Sequence, residues 1–302
     1  MKPAISCVNE LLLHSESNES IWVLDGDLGD SYGLDKFFVE KPEKTIMAGI
    51  AEQNMVTMAA GMAACSARPW VFSFAAFLCY RAYDQIRVGI AQTGLPVTLV
   101  GSHSGGCLDN SGKTHQALND IAVMASLSNI EIWSPCCEED TRFAVNSILE
   151  SDKPAYIRYP RESLPYTDFS TTVAKCRWLT EKTSFAFITH GYGTHLAFEA
   201  AKILQQSGLT IGVINILNLK PFPIEDFSSI LIGVEKFWIV EDHVEFGGLN
   251  TILQSLGFVS EKGFAWPTEW SGGHGSAQYL LESQHLSPQH IADEVHQVLM
   301  KN

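Results

Sequence analysis

The 302-residue chain is short of positive charge: 20 Lys and Arg stand against 34 Asp and Glu, a formal net charge of −14. A surface of that sign repels polyanions, so nucleic acid and anionic membrane are not expected as main partners. Its seven cysteines include no C-x-x-C pair and no Cys/His spacing of a zinc site. Cys136 and Cys137 are adjacent, a poor geometry for bonding to each other. Reduced, buried thiols are the expectation, as in a cytoplasmic protein. The sequence has no run of about 18 apolar residues and no basic-then-apolar leader, so neither membrane insertion nor export is expected. Short-period repeats and low-complexity tracts are also missing. What the chain does have is 46% hydrophobic residues with 18% charged. That is core material for two ordinary domains.

Short apolar runs alternate with helix-like stretches. Strands are predicted at 21–24, 46–49, 70–74, 96–100, 130–133 and 155–158. Helices are predicted at 3–13, from Glu52 to Ala64, at 78–91, at 116–127 and between 133 and 155. A second series places strands at 185–189, 211–216 and 237–240, with helices ending at Gln206, following Pro223 and covering 288–299. Ser287 is the expected N-cap of that last helix. Such alternation implies α/β architecture: two doubly wound domains, each a mostly parallel sheet covered by helices. The first is expected over 1–165 and a smaller second over 181–302. The Pro-, Ser- and Thr-rich stretch 166–180 reads as the linker.

Glu52 sits between a short apolar run and a nearly uncharged helix rich in Ala, Met and Gly. An acid at the mouth of a buried helix is costly to desolvate without a partner, although a first-turn acid also suits the helix dipole. Further on, Phe74, Phe77 and Tyr80 recur at i, i+3 and i+6. His103 and His115 flank a glycine-containing loop that imitates a phosphate-binding P-loop. The imitation fails, because Gly106 and Gly112 enclose five residues where that motif needs four. One of the five is Asp109, whose charge repels phosphate. Taken singly, the aromatics read as core and the histidines as hydrogen-bonded structural residues.

Taken together, the segments GIAEQNMVTMAAGMA (49–63), FSFAAFLCYRAYDQIR (72–87), GSHSGG (101–106), GKTHQALNDIAVM (112–124), YPRESLP (159–165) and VEDHVEFGGLN (240–250) resemble the transketolase family. The similarity is to the half that carries the pyrimidine-binding and C-terminal domains. The resemblance implies thiamine diphosphate as cofactor, with a glutamate at the position of Glu52 holding N1′ of the aminopyrimidine so that thiazolium C2 can lose its proton. It implies that Phe74, Phe77 and Tyr80 wall the pyrimidine, and that Asp27 and Ser31 lie on a loop facing cofactor and substrate. His103 and His115 would line the substrate channel, His115 donating to the donor's carbonyl oxygen as charge develops. Arg161 matches a substrate-phosphate arginine. The Gly-Asp-Gly…Asn motif that holds the diphosphate through Mg2+ or Ca2+ is absent. No metal ligand is therefore expected on this chain, which looks like the second subunit of a split enzyme. The metal and diphosphate would sit on a separate subunit in a heterotetramer.

Two departures touch the substrate. The family has Glu-Asp-Gly where this chain has Asn110-Ser111-Gly112, so a sugar-reading aspartate is replaced by Ser111. A second phosphate arginine falls at about Ile5. The expected reaction is transfer of a two-carbon ketol unit from a ketose to an aldehyde or aldose, with an altered acceptor. The rivals are the β-subunit of a 2-oxoacid decarboxylating enzyme, an acyloin former and a non-catalytic scaffold subunit.

Overall fold

The computed structural model describes residues 3–107, 111–161, 169 and 172–301. Asp109 and Asn110, and part of the 159–165 and 166–180 segments, lie outside the described residues. The first half runs α1 (Pro3–Ser15), β1 (Ile21–Asp25), α2 (Gly29–Tyr32), α3 (Asp35–Glu40), β2 (Thr45–Met47), α4 (Glu52–Ala64) and β3 (Arg68–Phe74). It continues with α5 (Tyr83–Gln85), β4 (Thr98–Ser102), α6 (Asp120–Ala125), β5 (Glu131–Trp133), α7 (Glu138–Glu150) and β6 (Ala155–Arg158). The second half holds β7 (Cys176–Trp178), β8 (Phe185–Thr189), α8 (Gly191–Gln206), β9 (Gly212–Ile216), β10 (Asn218–Lys220) and α9 (Ile224–Ile230). It ends with β11 (Lys236–Val244), α10 (Leu249–Ser255), β12 (Lys262–Trp266), α11 (Ala277–Ser283) and α12 (Pro288–Met300), whose N-cap Ser287 accepts from His290 N.

The fold is α/β with two sheets, ordered β10-β5-β6-β4-β3-β1-β2 and β12-β11-β8-β9-β7. Strands β4 and β6 are buried at every position, as a parallel sheet sandwiched between helix layers requires, and this is why their apolar runs are unbroken. The two outer pairings, β10 on β5 and β7 on β9, are antiparallel. Strand β7 lies inside the stretch read as linker, and β10 leaves the second half of the chain to extend the first sheet. Both are three residues long and too short to announce themselves by periodicity.

Two predicted helices are remodelled. The 78–91 stretch is π-helical over Phe77–Arg81 and Ile86–Ala91, with a single α-turn between. A π-turn absorbs an extra residue and re-aims the side chains it carries. The helix predicted from 116 starts only at Asp120, because Gln116 and Ala117 are spent on contacts to the preceding loop. Asp120 itself is buried, accepting from Arg158 Nε at 2.8 Å and Tyr156 Oη at 2.7 Å. Burial opposes its ionisation, but Arg158, His243 and the Tyr156 hydroxyl together outweigh it and hold the carboxyl below its usual range. None of the helices among the described residues is long and apolar enough to cross a membrane.

Candidate active site

In the first sheet the chain leaves β1 for β2 on one side, then returns to β3 on the other. The carboxyl ends of β1 and β3 thus flank a switch point, where an open α/β sheet leaves a crevice. Glu52 opens α4 at that crevice and is 1% exposed. Its Oε2 is 2.7 Å from Arg81 Nη1, and Ser73 Oγ donates to Oε1 at 3.5 Å. Gly26 follows β1 at the same place. A Cβ there would come within 3.3 Å of Met55 Cε and Ser73 Oγ, so a glycine lets the β1 end close on the Glu52 helix.

Phe74 ends β3, and Phe77 starts the π-turn. Their rings stack at 5.6 Å and 26°. His103 follows β4 in the left-handed region at φ 57°, a conformation uncommon for a residue with a side chain. It stacks on Phe74 at 3.9 Å, while Ser102 Oγ lies 2.8 Å from its Nδ1. His115 meets Phe74 and Phe77 edge-on, at 6.0 and 5.3 Å, with Thr114 Oγ1 2.9 Å from its Nδ1. Four sequence-selected residues therefore form one aromatic and imidazole cluster.

Tyr80 is half-exposed, with its hydroxyl engaged by Asn119, and burial of the phenol pushes its pKa up. Asp27 takes φ 66° and shares a cleft of about 370 Å³ with Ser31, Asp25, Gly29 and Phe38. Burial raises the Asp25 carboxyl, against hydrogen bonds from the Leu28 and Gly29 N–H groups. Ile5 borders this region: a Cβ on Gly33 would stand 3.3 Å from Ile5 Cγ1. Ser111 is half-buried at the edge of a segment outside the described residues, and Arg161 is half-buried just past β6. Tyr159, two residues before Arg161, accepts from Ser104 N at 3.0 Å, so Arg161 leaves the sheet at the same end as His103.

Residues 8–167 match the model of the transketolase pyrimidine binding domain, and residues 174–291 match that of the transketolase C-terminal domain. The chain belongs to the transketolase family. A 6-deoxy-6-sulfo-D-fructose transketolase subunit from Clostridium sp. is 32% identical over 250 residues, covering 81% of this chain and 77% of the relative. A 1-deoxy-D-xylulose-5-phosphate synthase from Clostridium tetani is 31% identical over 79% of this chain but only 39% of its own length. Among solved structures, a split gene transketolase described as an inactive beta4 tetramer superposes with TM-score 0.85 at 27% identity, covering 99% of this chain and 98% of that one.

Within this transketolase-family chain, the sequence reading misses Arg81, Ser73 and Asn119. Arg81 was within reach of it: between Arg68 and Arg87 it is the sole basic residue, and a buried Glu52 demands a counter-charge. The metal-like group Cys136, Cys137 and Asp140 is structural. Arg177 Nη2 and Asn215 Nδ2 already hold Asp140 at 2.8 and 2.9 Å, and Cys137 Sγ caps α7.

Proposed function

We propose that this chain is the second subunit of a split transketolase, transferring a two-carbon ketol unit from a ketose to an aldehyde or aldose acceptor with a partner that carries the diphosphate and its Mg2+ or Ca2+. The observation that carries this is the buried carboxylate of Glu52 beside the Phe74, Phe77, His103 and His115 cluster, in a chain with no Gly-Asp-Gly motif. The donor set fits an aminopyrimidine: an acid to hold a ring nitrogen, and a stacked Phe pair to wall a flat ring. Bound there, thiamine diphosphate supplies a carbon nucleophile and an electron sink. Glu52 holds the proton at the pyrimidine nitrogen in a site that excludes bulk base. Phe74, Phe77 and Tyr80 orient the ring, and Asp27 closes the loop beside it. His115 donates to the donor's carbonyl oxygen where negative charge grows, and His103, stacked on Phe74, holds a substrate hydroxyl. Ser31, Ser111 and Arg161 bind the rest of the sugar. A first domain ending near 165, a second domain that takes in β7 of the stretch read as linker, a heterotetramer and a cytoplasmic setting belong to the same reading.

Dependence on the partner is the test. Purified alone, the chain is expected to show no ketol transfer and only feeble thiamine diphosphate binding by calorimetry. Mixed with a subunit bearing Gly-Asp-Gly…Asn, it should gain both. Micromolar cofactor binding with magnesium by the isolated chain would sink the split-enzyme reading.

A further inference from the structure

We propose that Gln116 and Asp242 are positioning residues through which the second domain sets the backbone that carries His103 and His115. This rests on the reading of those histidines as substrate-channel groups.

His103 and His115 lie on two limbs, residues 103–107 and 111–116. On the first limb, three residues past His103, Gly106 N donates to Asp242 Oδ1 at 2.9 Å. Trp266 Nε1 donates to the same oxygen at 2.6 Å, and Arg158 Nη2 donates to the Asp242 carbonyl at 3.1 Å. Asp242 is 2% exposed and belongs to β11 of the second sheet. The approach is too close for any side chain on the loop: a Cβ on Gly105 would lie 2.0 Å from Asp242 Oδ2, and one on Gly106 2.4 Å from Trp266. Gly105 also needs φ 82°, which glycine adopts freely.

On the second limb, Gln116 follows His115 directly. Its Nε2 donates to Gly106 O at 2.7 Å, and its Oε1 accepts from Gly273 N at 2.9 Å. One buried amide thus ties the two histidine limbs together and fastens both to the second domain. Val244 N donates to Leu118 O at 2.8 Å, extending the seam by one more bond. Each bond alone is modest, but buried polar groups left unpaired are expensive. The seam therefore has one low-energy arrangement. The bonds reach the backbone beside each histidine, so the seam acts on chemistry through the placement of the histidines.

The test uses the reconstituted pair and then the chain alone. Gln116→Leu should lower kcat about ten- to a hundredfold, as a misplacement near 1 Å does. In a His115→Ala background the same change should cost only about three- to tenfold, because the misplacement of His103 alone is then left. Asp242→Asn keeps an acceptor oxygen for both N–H groups and should stay within about threefold of the parent, whereas Asp242→Leu should fall as Gln116→Leu does. A fully additive loss in the His115→Ala background would overturn the proposal. If the unmodified pair shows no ketol transfer, the reading of the reaction fails on its own ground. Amide hydrogen exchange on the chain alone then decides the seam. Gln116→Leu should speed exchange at 103–106 and 112–116 about tenfold or more, with α12 unchanged. Unaltered exchange there contradicts the inference.

Discussion

Arg81 Nη1 lies 2.7 Å from Glu52 Oε2, and the same guanidinium covers Phe77, its carbon 4.4 Å from the ring centroid. Glu52 is buried, while the Arg81 side chain is 45% exposed. The acid is buried and its partner reaches solvent, so on the proposed reading Arg81 can give way to a ring nitrogen while Glu52 stays in place. Glu52 and Arg81 are 29 positions apart in sequence, and the π-turn brings the second to the first.

Removing Arg81 alone leaves a buried carboxylate unpaired, which is costly. Arg81→Met should therefore destabilise the chain, and less so when Glu52→Gln is already present. A double-mutant cycle by urea denaturation should give a coupling of about 1–2 kcal/mol, below the fully buried range because Arg81 reaches solvent. Strict additivity would mean that the pair contributes nothing in solution.

The proposed acceptor preference rests on Ser111 and Ile5. Loss of one phosphate arginine removes a charge-assisted contact of roughly 1.5–3 kcal/mol, about ten- to a hundredfold in affinity. With Arg161 still in place, the reconstituted enzyme should take glyceraldehyde within about tenfold of glyceraldehyde phosphate in kcat/KM. A phosphate preference above about a thousandfold would restore an ordinary acceptor. Ile5 abuts Gly33 in the turn after Ser31, so Ile5→Arg with Ser111→Asp should move the ratio towards phosphate.

Acid should weaken the chain through its buried histidines. Burial lowers His195 to about 4, against a hydrogen bond to Cys136 O, and lowers His190 to about 3. Both stay neutral in the folded state while the unfolded chain takes up protons below about pH 6.5. Stability is thus retained above that value and lost as pH falls towards 4. From pH 6.5 to 5 each group should cost roughly 1–2 kcal/mol. Urea titrations of the parent and His195→Gln should show a shallower pH slope for the variant. Equal slopes would show that His195 is protonated without penalty.

The fold was legible where burial is two-sided. The apolar runs of β6 and β8 match their predicted limits, since both faces of each strand are covered. Strand β10 was not, because Asn218 and Lys220 carry no apolar signal and its pairing with β5 spans the two halves of the chain. The site divides the same way. Residues whose chemistry is unusual for their surroundings, Glu52 in an apolar stretch and two histidines round a glycine loop, stood out in the sequence. Those whose role depends on a distant partner did not: Gln116 reads as an ordinary polar residue until Gly273 and Gly106 are found on either side of its amide.

The most direct measurement is exchange of the thiazolium C2 proton in the reconstituted enzyme with Glu52→Gln. Glutamine keeps the shape of the side chain and its hydrogen-bonding capacity but removes the proton-sharing carboxylate. The expected result is C2 hydrogen–deuterium exchange, and turnover with it, slowed by at least about a hundredfold, as for a lost general acid–base group. Exchange at the parent rate would contradict it and make Glu52 a structural residue.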